Sequence, residues 1–231
     1  MTHIKQFIFI TLITLSGINT SNAQDLNHQS TQNLLNGFIS TINNDFDKVK
    51  NAKGSPYISD IFEVVKLKRF GDKTFYGRYD ANLGEMQLKL DNDTIVLNNA
   101  EKYEITFVMG KKIYKSYNYK NDDDILKQGF LVVLGETDSM AFLKEEVVKY
   151  YEEKPSTNGY DEAKPAEYKR SKDVFYYRSG DDITLLPQKR KDFLKLFPKN
   201  SEDLKEFIKE NKISLKDDED LITLFKHIKT L

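Results

Sequence analysis

The chain has 231 residues, 35 basic and 36 acidic side chains, a formal net charge of −1 and no cysteine. A balance this even gives no electrostatic pull toward nucleic acid, whose affinity is built from many lysine and arginine contacts to phosphate. The lack of cysteine excludes disulfides, thiol chemistry and the lipid anchor of an exported bacterial lipoprotein.

In chain order, MTHIK is a short basic start, FIFITLITL an uncharged apolar run, and SGINTSNAQ a small and polar stretch ending in Ser21-Asn22-Ala23. This is the pattern of a secretory signal peptide over residues 1–23, with cleavage between Ala23 and Gln24. The apolar run is far shorter than the roughly 20 residues that span a bilayer, and no second run of spanning length follows. Cleavage removes Lys5 from the 35 basic residues and nothing from the 36 acidic ones, so residues 24–231 carry a net charge of −2. The expected location is the periplasm or the cell envelope.

Residues 24–231 read as a single α+β domain. Leu34, Leu35, Phe38, Ile39, Ile42, Phe46 and Val49 recur at helical spacing and predict an amphipathic helix over 31–50, weakened by Gly37 and Asn43-Asn44. Lys53 to Tyr57, KGSPY, ends it, because glycine and proline break helices. Over 61–186 the period changes to two: Met86, Leu88 and Leu90 alternate with polar residues, as do Tyr103, Ile105 and Phe107. Turn signals at Gly71-Asp72, Asn82-Leu83-Gly84, Asp91-Asn92-Asp93, Gly110-Lys111 and Glu136-Thr137-Asp138 separate the runs. The reading is an antiparallel β-meander of about seven to nine strands, with the wholly apolar GFLVVLG at its centre. EEKPSTNGYDEAKPAEY reads as a loop, after which DVFYYRSG and DDITLL resume strand patterning.

Three short helices are expected over 189–228. Phe193, Leu194, Leu196 and Phe197 form one apolar face, stopped by Pro198. Ser201, Glu202 and Asp203 open a second helix, with Leu204, Phe207 and Ile208 on its apolar side. Ser214 and Asp217 fit a capping box for a third, which carries Leu221, Ile222, Leu224, Phe225 and Ile228. Lys189 to Leu231 holds 11 basic and 9 acidic residues, so the lysines of FLKLFPKNSEDLKEFIKENK are the outer faces of packed helices rather than a nucleic-acid or membrane-binding segment.

The signal peptide, GSPY, KPAEYKRSKDVFYY and FPKNSEDLKEFIKENKISLKDDEDLITLFKHI together resemble a group of uncharacterised exported proteins common in Bacteroidota. The resemblance spans most of residues 24–231 and implies an envelope location. It implies no activity, so no functional residue is carried over.

Beyond the signal peptide the histidines are His28 and His227, which form no pair at zinc-ligand spacing. No G-x-S-x-G nucleophile elbow and no phosphate-binding glycine motif occurs. Calcium has two candidate stretches, Asp80 to Glu85 and Asp217 to Asp220. The first reads equally as a hairpin turn and the second as an acidic helix start. No cofactor is expected. KIYKSYNYK alternates tyrosine with polar positions, and Tyr114, Tyr117, Tyr119, Tyr176 and Tyr177 are the candidate ligand-binding residues, since tyrosine suits a half-buried recognition surface. The expected function is a non-enzymatic envelope protein binding a protein or glycan. The alternative is a glycosidase-like hydrolase using a pair of carboxylates.

Overall fold

The computed structural model describes residues 39–40, 52–90, 93–99, 101–121, 123–156 and 162–231. Ala23, Gln24, His28 and most of the helix expected over 31–50 lie outside them. Within that helix span Ile39 and Ser40 are described, and they are extended: they form β1, paired with Leu97 and Val96. At these two residues the expected helix gives way to antiparallel pairing with β5.

The rest of the sheet follows the period-two pattern. β2 (Glu63–Leu67), β3 (Thr74–Asp80), β4 (Glu85–Leu90), β5 (Asp93–Leu97), β6 (Glu104–Phe107), β7 (Lys112–Lys120), β8 (Leu126–Glu136) and β9 (Met140–Glu145) come first, then β12 (Val174–Ser179) and β13 (Asp182–Leu185). With β1 they make an 11-stranded sheet of order β1-β5-β4-β3-β2-β6-β7-β8-β9-β12-β13, each pair antiparallel. The polar stretch read as a loop supplies a separate two-stranded sheet, β10 (Val148–Tyr151) with β11 (Glu167–Arg170). It docks on the β3–β4 turn, where Val148 N–H donates to Ala81 O. It also meets Gly54, whose φ of 80° and closeness to the Tyr168 carbonyl leave no space for a side chain.

The sheet folds onto both of its faces. On the front face Val65, Leu67, Met86, Leu88, Ile105, Tyr114 and Phe130 are buried, and β4 comes close to β8, where Tyr79 Oη donates to the Phe130 carbonyl. The back face is covered farther along. There β13 approaches β7, and Tyr119, Leu131, Ala141, Leu143 and Tyr176 form a second cluster, with Tyr117, Val133 and Ile183 against it. β8 is therefore buried on both sides, with Phe130 and Leu131 at 0% exposure, which is why GFLVVLG carries no alternation.

The helices α1 (Arg190–Leu194), α2 (Ser201–Glu210) and α3 (Asp218–Ile228) cover the front face of the C-terminal strands. Phe193, Leu204, Ile208, Leu221, Leu224 and Phe225 pack on Phe142 and Phe175. Asp217, not Ser214, caps α3: its carboxylate accepts from Glu219 N–H and Asp220 N–H, while Ser214 N–H donates to Asp220 Oδ2. A bulge between Val133 and Gly135 seats this layer, and the Phe225 ring lies directly over Gly135. No helix among the described residues is long and apolar enough to cross a membrane.

Candidate functional site

Where β13 turns back toward β7, the back face is left concave and a cleft of about 930 Å³ opens. The back-face residues of β6 and β7 form its floor, the β12–β13 turn one wall, and the Lys68–Arg69 turn with Glu101 and Lys102 the other. Strand alternation aims Glu104, Lys115, Tyr117, Glu136 and Arg178 at it, because residues paired across antiparallel strands share a face.

Five basic and five acidic side chains line the cleft, and five of these ten are linked in one chain of ion pairs, Lys68–Glu104–Lys115–Glu136–Arg178. Lys68 Nζ lies 2.9 Å and Lys115 Nζ 3.0 Å from Glu104 Oε2. Lys115 also pairs with Glu136, whose Oε1 takes Arg178 Nη2 at 3.3 Å and the Tyr117 hydroxyl at 3.4 Å. Arg178 is fixed further by the carbonyls of Thr137 and Gly180, each 2.8 Å away. Burial alone would raise the Glu104 carboxyl, but hydrogen bonds from Lys68 and Lys115 outweigh it and hold the group below the ordinary carboxylate range. Burial pushes the Tyr103 hydroxyl up to about 12 even with Arg69 above its ring. Burial likewise raises Tyr117, and Glu136 adds to the shift. Such a surface offers fixed donors, acceptors and the Tyr117 ring to a ligand, but Glu104 would hold no proton for general-acid catalysis at neutral pH.

Of the five candidate tyrosines, Tyr117 alone lines this cleft. Tyr114, Tyr119 and Tyr176 are buried at 2%, 4% and 0% exposure. The Tyr114 hydroxyl donates to Glu146, and the Tyr176 hydroxyl donates to Glu145 at 2.7 Å. Tyr177 is half-buried between Phe142 and Phe197 under α1. Tyr114, Tyr119 and Tyr176 are core residues, and Tyr177 packs partly buried against the cluster under the helices. Both faces of β7 meet a core, which takes Tyr114 on the front and Tyr119 on the back, and Tyr176 of β12 joins the back cluster.

Sequence reasoning also missed the buried acids that hold those hydroxyls. Lys144, Glu145 and Glu146 are each about 5% exposed or less. Glu145 pairs with Lys127, Glu146 with Lys112, and Lys144 with Asp218, tying the sheet to the start of α3. The available signal was AFLKEEVV, a charge triplet flanked by apolar residues on both sides.

The two calcium candidates serve the backbone. Asp80 Oδ1 accepts from Asn82 N–H and Leu83 N–H, both at 2.9 Å, and Asp217 caps α3. Among the described residues no group of three histidine or acidic side chains is placed to hold a metal ion. His227 stacks on Phe207 at 3.9 Å in the last turn of α3. Comparison with family models, curated proteins and solved structures finds no match for this chain.

Proposed function

We propose that this is an exported, non-enzymatic protein of the cell envelope, and that the back-face cleft holds its protein or glycan partner. The observation that carries the reading is the cleft itself: a concavity lined by Tyr117 and by a chain of paired charges that runs from Lys68 to Arg178. Such a surface binds through many fixed polar contacts without a large desolvation penalty for any single charge. The leader-like residues 1–23 support export.

A second reading, carboxylate hydrolysis, has one observation in its favour. Asp80 and Glu85 stand opposite each other across the β3–β4 hairpin, and burial raises both carboxyls. Neither lines the cleft, and Asp80 uses an oxygen to hold its turn, so binding is the stronger reading.

The test starts from protein expressed with residues 1–23. Intact mass of the envelope fraction should show a chain beginning at Gln24; an uncut cytoplasmic product contradicts export. Pull-down of envelope proteins and glycans should then lose its partner with Tyr117→Ala while melting stays unchanged. Capture untouched by Tyr117→Ala, or turnover of a captured glycan, overturns the reading.

A further inference from the structure

Among the described residues eighteen line the back-face cleft; ten are charged, and Ile183 alone is aliphatic. Docking surfaces for proteins have the reverse make-up, an apolar core depleted of charge with aromatic or aliphatic anchors seated in dry pockets. Ile183 offers no such pocket, because it packs into the cluster of Tyr119, Leu131 and Tyr176. The chain of ion pairs, by contrast, keeps bonding capacity free. Glu104 Oε2 takes both Lys68 and Lys115, while Oε1 accepts no bond among the described residues and is open to solvent. Lys115 has three N–H donors and pairs with two carboxylates, Glu104 and Glu136, so one donor remains. These two side chains keep 26% and 22% of their surface exposed, and Lys115 Nζ lies 3.0 Å from Glu104 Oε2, so a free acceptor and a free donor stand side by side. Tyr117 follows on the same face of β7, about 7 Å farther along the strand.

We propose that the cleft binds an uncharged oligosaccharide and reads a pair of neighbouring hydroxyls on one of its sugar rings. This rests on the reading of the cleft as the binding site and names the ligand. One hydroxyl donates to Glu104 Oε1, and the oxygen beside it accepts the remaining Lys115 N–H. The match is geometric, since the oxygens of gauche neighbouring hydroxyls are about one hydrogen-bond length apart, as are the two groups that read them. Bonds to charged partners are roughly twice as strong as neutral ones, which offsets the water the hydroxyls lose. The Tyr117 ring takes the C–H face of the same sugar or the next. Five basic and five acidic groups cancel, so the site gives no advantage to uronate or sulfate. A volume of about 930 Å³ is at the upper end of the range for small-ligand sites and suits a few sugar rings rather than a folded partner.

The probe is a panel of short neutral oligosaccharides, with uronate-bearing counterparts of the same length, titrated by calorimetry into the mature chain. A neutral glycan should bind without turnover, and its uronate counterpart should bind no better. Replacing one of the two read hydroxyls by hydrogen should weaken binding about tenfold, the scale of one hydrogen bond to a charged group. Glu104→Gln keeps an oxygen for Lys68 and Lys115 but turns an amide N–H toward the ligand. It should weaken the parent glycan about as much with melting unchanged, and the deoxy analogue little further, because both changes remove the same bond. If that variant does not fold, the deoxy series on the wild-type protein decides alone: indifference to every single deoxygenation overturns the hydroxyl readout. Preference for uronate, a panel in which nothing binds, or a captured protein held in the cleft overturns it as well. In each of these cases loss of the captured partner with Tyr117→Ala leaves the cleft reading standing. Binding indifferent to Tyr117→Ala overturns both.

Discussion

Glu146 has 4% of its side-chain surface exposed and is surrounded by Lys112, Lys144 and the Tyr114 hydroxyl. Burial alone would raise its carboxyl, but these partners hold it below the ordinary value of 4.5. The folded state thus binds this proton less tightly than the unfolded chain does. The resulting stabilisation is complete above the unfolded glutamate range and is lost as pH falls through the lower folded value. Glu146→Gln should cost about 3 kcal/mol at pH 7, the scale of breaking a buried pair, and the gap to wild type should close as pH drops below about 4. Asp80 has the opposite sign: burial raises it, so its ionisation costs stability at neutral pH and acid relieves that cost. Asp80→Asn, which keeps an acceptor for the turn, should compare best with wild type at pH 7 and worst at pH 3. Urea unfolding from pH 3 to 7 checks both trends; parallel curves would contradict this assignment of the charges.

Among the elements, the fit of α3 on the β8 bulge is the tightest. A Cβ at Gly135 would lie 2.3 Å from the Phe225 ring, so the glycine is needed for the closeness of approach. Gly135→Ala should cost about 1–3 kcal/mol as an overpacking change, and Phe225→Ala about 3–5 kcal/mol as a cavity. The double variant should cost clearly less than the sum, since removing the ring makes room for the methyl. Additive costs in a double-mutant cycle would show that the two do not touch. Much of this layer was legible in sequence, because Pro198 and the acidic run after Ser201 mark helix ends by local chemistry. The cap of α3 was misplaced because Ser214 and Asp217 are both good cap residues, and only the extended backbone at Asp217 decides between them. β10 and β11 were not legible: their charged and aromatic residues are mostly exposed on both sides and carry no apolar alternation.

Across the whole sheet, curling onto both faces explains what the sequence could not reveal. Antiparallel strands and their turns were readable from alternation and glycine or asparagine positions. KIYKSYNYK was not, because Tyr114 enters the front core while Tyr117 and Tyr119 meet the back one. The cleft has no motif either: its side chains come from the 68–69, 99–104, 115–118, 136–138 and 178–183 stretches, brought together only by the return of β13 toward β7. The most direct test of its role is amide hydrogen exchange on the mature chain with and without a captured partner. Binding in the cleft predicts slowed exchange confined to the β6–β7 floor, the β8–β9 turn and β12–β13. Slowing centred on the β3–β4 hairpin around Asp80 and Glu85, with the cleft unchanged, would contradict it.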